Sequence, residues 1–280
     1  MLRNVSLNRE QTACHQGRTD DRLVSTRPQH PRRPVPLRVL TGRQIECRWF
    51  RTPDVSRIGA TRRTQRVLRR LHEQRRIERL ARRHGGVRGG SGSFTYWLAP
   101  LGRRAIGATG RGTFRPPSER FVDHCIAVAE IAVGLHEAQE DGRICDLLVA
   151  TEPDNWRRFQ TASGIATLKP DLLAEFSTSD GWELRWFIEA DRGTEHLPTV
   201  LTKCGLYERY WRSGTEDRHH EVFPRIAWSV PDQRRADQIT AAIGRTRTLS
   251  ADLFRTATAD QTVSLLATNQ PIDTTKGGQP

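Results

Sequence analysis

Apolar residues along this chain fall in short runs, and their spacing changes character near residue 115. Up to residue 37 no periodic stripe exists. Arg27-Pro28, His30-Pro31, Arg33-Pro34 and Val35-Pro36 interrupt a polar, Arg-bearing stretch that cannot bury a core. Residues 1–37 are therefore expected to form a disordered basic arm. From Leu40 the pattern becomes helical: Thr41 is a good N-cap, and Ile45, Trp49 and Phe50 mark a helix over 42–51. Val67, Leu68 and Leu71 mark a second over 60–72. Runs at Ile77–Leu80 and 94–98 read as strands on either side of a Gly-rich tip, and Leu101-Gly102 closes the unit. Helix, turn, Arg-rich helix and hairpin, in that order, predict a winged helix-turn-helix over 38–108.

The composition of 109–118 marks a linker. Phe121, Cys125, Val128, Ala132 and Leu135 then recur at helical spacing, predicting a helix over 121–139. Ile144–Ala150 is an apolar strand stopped by Glu152-Pro153, and 154–168, carrying Trp156 and Phe159, reads as an irregular connection. Apolar runs at 172–176 and 184–188 flank the turn Ser177-Thr178-Ser179-Asp180-Gly181, which is the pattern of a β-hairpin. A helix over about 196–212, a strand at 226–230 and a helix at 234–244 complete an α-β-β-β-α-β order. The expected class is α+β, with the second domain over 119–246 and its last strand parallel within one sheet. Residues 247–280 are expected to be a polar tail with at most a short helix.

Charge sharpens this division. Residues 1–120 hold 28 Arg, no Lys and 8 acids, a net of +20, whereas residues 121–280 hold 17 basic and 24 acidic residues, a net of −7. A GC-rich genome explains 42 Arg against 3 Lys but not the segregation of sign. A half this basic attracts a polyanion, and double-stranded DNA is the expected partner. Arg62, Arg63, Arg66, Arg69 and Arg70 surround the apolar stripe of the second helix, the expected recognition helix, while Arg82, Arg83 and Arg88 fall on the wing. The alternative is a helical hairpin whose arginines solvate one face. With no long apolar run, no signal-peptide-like start and five scattered cysteines lacking a C-x-x-C pair, a cytoplasmic protein without a membrane span is expected.

Candidate chemistry lies in the acidic half. Asp171 stands where the first hairpin strand begins, and Glu189 and Asp191 where the second ends, so the three carboxylates are expected to converge. Lys203 and Tyr207 follow on one helical face. Mg²⁺ needs only two or three carboxylates besides its waters, so the expected cofactor is Mg²⁺ or none. Asp171 and Glu189 would be its ligands, Asp191 a third, and Lys203 the cation facing developing charge. Alternatively, Arg192 pairs with these acids in a structural ion network, and Lys203 is a solvated helix charge. His124 on the first helix of this half fits the site or the core, and Glu130 could add a carboxylate.

Pro170-Asp171 followed by Glu189-Ala190-Asp191 on this element order resembles the PD-(D/E)xK nuclease superfamily. That pattern carries lysine where this chain has Asp191, so Lys203 would be a migrated replacement. The segments LTGRQIECRWF, RRTQRVLRRLHEQRRIERL, TYWLAPLG, LKPD and FIEADRGTE, with His124 and the Lys203/Tyr207 pair, resemble the replication-relaxation family over roughly 38–245. That family occurs in actinobacteria and other Gram-positive bacteria, often on plasmids and integrative elements. The resemblance implies a winged helix followed by a restriction-endonuclease-like domain, acting in replication or mobilisation through DNA binding, with replication or transfer proteins as further partners. Three functions compete: a non-catalytic DNA-binding protein of such an element, an active metal-dependent endonuclease or nickase, and a transcription regulator using the winged helix alone. The Asp at 191 favours the first over the second, leaving enzymatic activity open.

Overall fold

The computed structural model describes residues 37–80, 94–107, 118–216 and 223–268. It is a mixed α+β chain with, among the described residues, three separate sheets and seven α-helices. Residues 1–36 of the expected arm, the Gly-rich tip at 84–93, most of the linker and the last twelve residues lie outside the described residues.

In the basic half, β1 (Val39–Thr41) leads into α1 (Gly42–Trp49). A reciprocal cap fixes the start of this helix: the Gln44 amide donates to the Thr41 hydroxyl, and the Thr41 amide to Gln44 Oε1. α2 (Arg57–Glu73) begins at Ser56, whose hydroxyl accepts from the Gly59 amide. Ala60, Thr64 and Leu68 are its buried stripe. β2 (Ile77–Leu80) and β3 (Thr95–Leu98) pair antiparallel, and β1 adds to β3, giving the order β1-β3-β2. α3 (Pro100–Ala105) follows, a short helix that the apolar pattern does not announce. Its Gly102 is required by packing, because a Cβ there would lie 2.0 Å from the Arg76 carbonyl oxygen.

The second half is built on a five-stranded sheet in the order β10-β9-β8-β7-β4. β4 (Ile144–Ala150) and β8 (Glu183–Ala190) each pair antiparallel with β7 (Leu172–Thr178), while β9 (Arg225–Val230) and β10 (Phe254–Thr258) continue parallel to β8. Alternation along the strands divides the core. Leu172, Ala174, Phe176, Trp186 and Ile188 face α4 (Glu119–Glu140) and α7 (Thr262–Ala267). Leu173, Phe187, Ile226 and Trp228 face α5 (Leu197–Arg212) and α6 (Gln233–Arg245). Both faces are covered, which is why β7 and β8 read as nearly continuous apolar runs rather than as alternating ones. The basic half docks on α4, where Gln44 Nε2 donates to Ile126 O at 3.0 Å and to Glu130 Oε2 at 2.8 Å.

Two expectations are corrected. Residues 154–168 contain an antiparallel ribbon, β5 (Arg157–Thr161) and β6 (Gly164–Leu168), rather than an irregular connection. Its apolar content is one residue in each strand buried to 4% or less, Phe159 and Leu168, too few to signal a strand pair. The polar tail expected from 247 instead supplies β10 and α7 as far as residue 268. Phe254 and Ala257 pack inward while the remaining positions of FRTAT are Arg and Thr.

Candidate functional site

A cleft of about 410 Å³ opens where β7 begins and β8 ends, between the N-terminal turn of α4 and the face of α5. Register explains why distant residues meet there. Leu172 pairs with Ile188, so the next position brings Asp171 opposite Glu189, and Glu189 pairs in turn with Trp228 on β9. The backbone before Asp171 is pinned by the buried Asn155, whose amide donates to Pro170 O at 2.6 Å.

Asp171 accepts from the Ala190 amide at 2.8 Å through Oδ2, and Oδ1 lies 3.2 Å from His124 Nε2. Burial opposes its ionisation, but His124, the Lys203 charge and the Ala190 amide together hold the carboxyl below its ordinary range. The same contact raises the His124 imidazole above its ordinary value against the effect of burial. Glu189 is 1% exposed and receives the Lys203 ammonium on Oε2 and the Tyr207 hydroxyl on Oε1. Burial pushes its carboxyl upward against the pull of Lys203. Burial would lower Lys203, yet the charges of Glu189 and Asp171 raise it, so it stays a cation. Tyr207 remains a phenol, held up by burial and by the Glu189 charge.

Asp191 is placed differently. Its Oδ2 accepts from Arg235 Nε at 2.6 Å and its Oδ1 from the Gly193 amide at 3.1 Å. Arg235 also donates to Glu195 O at 2.7 Å. The structure therefore brings Asp171, Glu189 and Lys203 to one cleft, with Lys203 bonded to Glu189 and Asp171 coupled to both by charge alone, while Asp191, on the same cleft wall, is committed to Arg235. Arg192, the partner expected from sequence, points instead to Asp123 at 3.6 Å. Glu130 is committed to Gln44. Among the described residues, no group of three or more His, Cys, Asp or Glu is placed to hold a metal ion.

Sequence reasoning leaves His124 undecided, and the structure puts it in the cleft; Tyr207 is fully buried in the core behind the cleft, reaching it only through its hydroxyl bond to Glu189. Arg235 carries no signal in the sequence, because it stands 44 residues from the acid it meets. Arg120, exposed Phe121 and Arg192 complete the rim.

On the basic half, Arg62, Arg63, Arg66, Arg69 and Arg70 are all exposed on α2, as is Arg57. None forms an ion pair among the described residues, and Glu73 is the only acid on the helix. Arg82, Arg83 and Arg88 lie outside the described residues.

The family model for replication-relaxation matches residues 36–226. The chain belongs to the replication-relaxation family. The match takes in both α2 and the Asp171–Lys203 cleft, so the two candidate regions are parts of one family unit. Membership in the replication-relaxation family points to replication or mobilisation of a plasmid or similar element. Neither curated proteins nor solved structures include a significant match to the chain. No helix among the described residues is long and apolar enough to cross a membrane.

Proposed function

We propose that this chain is a DNA-binding protein of a plasmid or integrative element, acting in its replication or mobilisation and gripping double-stranded DNA through α2. The observation that carries the reading is the row of arginines on α2, exposed and uncompensated. Six guanidinium groups on one helix repel one another, and a phosphate backbone relieves that repulsion while releasing its own counterions. The order α1-α2-β2-β3, with β1 joining the hairpin, suits a winged helix-turn-helix with α2 in the major groove. The test is a gel shift: a duplex oligonucleotide is retarded by the chain, and an Arg63→Ala, Arg66→Ala, Arg70→Ala variant loses that retardation. Equal retardation by both removes the reading.

A second reading, metal-assisted cleavage of a phosphodiester, is favoured by the meeting of Asp171, Glu189 and Lys203 in one cleft. The order α4-β4-β7-β8-α5-β9 suits a restriction-endonuclease-like domain. Mg²⁺ is usually held by one or two carboxylates beside its waters, and Asp171 and Glu189, from neighbouring strands, would hold it, Glu189 giving up its contact with Lys203 or Tyr207 to do so. Bound there, the ion would supply Lewis acidity and an activated water. Lys203 faces the space where phosphoryl charge would develop, and His124 holds the Asp171 carboxylate on its other side. Nicking of supercoiled plasmid in Mg²⁺ or Mn²⁺, abolished by Asp171→Ala, is the result this reading requires. Intact plasmid under both ions leaves the binding function alone.

A further inference from the structure

β5 and β6 form a two-stranded ribbon that belongs to neither larger sheet. Pairing of Arg157 with Leu168, Arg158 with Thr167 and Gln160 with Ile165 sorts the side chains onto two faces. The inner face carries buried Phe159 and Leu168, and the Phe159 ring lies 5.0 Å from that of Tyr210 on α5. Arg157 also turns inward, to Glu216 at 3.1 Å.

The outer face is different. It carries Trp156, Arg158, Gln160, Ile165, Thr167 and Lys169, with Trp156 38% and Ile165 64% exposed. Lys169 Nζ sits 4.3 Å from the centroid of the Trp156 ring. No carboxylate stands on this face, and neither Arg158 nor Lys169 forms an ion pair among the described residues. This is a basic, aromatic surface in a half of the chain whose net charge is −7. Its second strand runs through Lys169 and Pro170 directly into Asp171, so the ribbon and the cleft share a hinge of chain.

We infer that the outer face of this ribbon is a second DNA-binding surface, which seats duplex DNA beside the cleft. The inference rests on the DNA-binding function proposed above and adds a surface independent of α2. A two-stranded ribbon is one of the two elements that the major groove of B-DNA admits. Arg158 and Lys169 supply cations for flanking phosphates, and Gln160 and Thr167 supply hydrogen-bonding groups between them. The flat Trp156 ring, held by Lys169, offers an apolar surface to sugar and base edges. An acidic protein would use the two cations but has no need of a ribbon that ends at a cleft of carboxylates and lysine.

The test is fluorescence anisotropy of the full chain with a labelled duplex oligonucleotide across a salt series. An Arg158→Gln, Lys169→Gln variant is compared with the charge-conserving pair Arg158→Lys, Lys169→Arg and with the α2 triple-alanine variant. Both ribbon positions are exposed, so thermal melting of the variants should match the wild type. The glutamine pair is expected to bind duplex more weakly, with a log–log salt slope shallower by roughly 0.9 for each phosphate left unneutralised. The charge-conserving pair is expected to restore the slope. Wild-type affinity and slope in the glutamine pair would overturn the inference, as would a weakening confined to single-stranded oligonucleotide or one shared by the charge-conserving pair. A ribbon variant that binds normally while the α2 variant fails removes the ribbon and keeps α2. The reverse pattern removes α2 as the grip and keeps the ribbon. No duplex affinity in the wild type overturns both.

Discussion

Arg235 closes on Asp191, Nε to Oδ2 at 2.6 Å, with the carboxylate fully buried and the guanidinium nearly so. The ion pair commits to a structural partner the acid expected from sequence as a third metal ligand. It also ties the end of β8 to the start of α6. Breaking a buried pair from one side leaves an uncompensated charge, at a cost of about 3–5 kcal/mol. Asp191→Ala and Arg235→Ala should each lower the urea midpoint of unfolding accordingly, and the double variant should lose less than the sum. A wild-type midpoint for Asp191→Ala would show that the pair has no structural weight.

Gly102 and Gly205 offer a contrast within one molecule. Gly102→Ala drives a Cβ onto the Arg76 carbonyl, at the point where α2 hands over to β2. A destabilisation of about 1–3 kcal/mol is expected from such overpacking, read in urea unfolding. Gly205, inside α5, has nothing within 4 Å of a Cβ, so alanine there should stabilise by about 0.4–1 kcal/mol. A neutral Gly102→Ala would contradict the packing of α3 on the α2–β2 junction.

His136 on α4 has its pKa lowered from 6.5 to about 4 by burial, helped by the charge of Arg48 on α1. The folded chain therefore keeps this imidazole neutral in a range where the unfolded chain takes up a proton. Its contribution to stability is present above pH 6.5 and is lost as pH falls towards 4. Urea midpoints between pH 6.5 and 4 should fall more steeply for the wild type than for His136→Gln. Parallel curves would contradict a half-buried His136 held neutral in the fold.

Much of the second half is legible in the sequence, for local reasons. The Ser-Thr-Ser-Asp-Gly turn sets the β7–β8 pairing, and that register alone places Asp171 opposite Glu189. Thr41 announces α1 by side-chain chemistry that needs no tertiary context. What escapes a sequence reader depends on neighbours far along the chain. β10 is a strand because β9 offers it an edge, not because FRTAT is apolar. The β5–β6 ribbon is held by a single buried face against α5, and Arg235 reaches Asp191 across the β9 crossover. Periodicity reports burial within one element, and it is silent on which charges from different elements become partners.

The two candidate regions should respond differently to chelation. The α2 arginines are permanent cations and need no ion to meet phosphate. EDTA should therefore leave the affinity for duplex DNA unchanged, measured by anisotropy at fixed ionic strength. A large drop in affinity on chelation would move the DNA grip from α2 to the Asp171–Glu189 cleft.

The salt dependence of duplex binding, wild type against Arg63→Ala, Arg66→Ala, Arg70→Ala, tests the central claim most directly. The wild-type plot of log affinity against log salt should be steep, and the variant's shallower by roughly 0.9 for each phosphate no longer neutralised. An unchanged slope and affinity in the variant would contradict α2 as the surface that grips DNA.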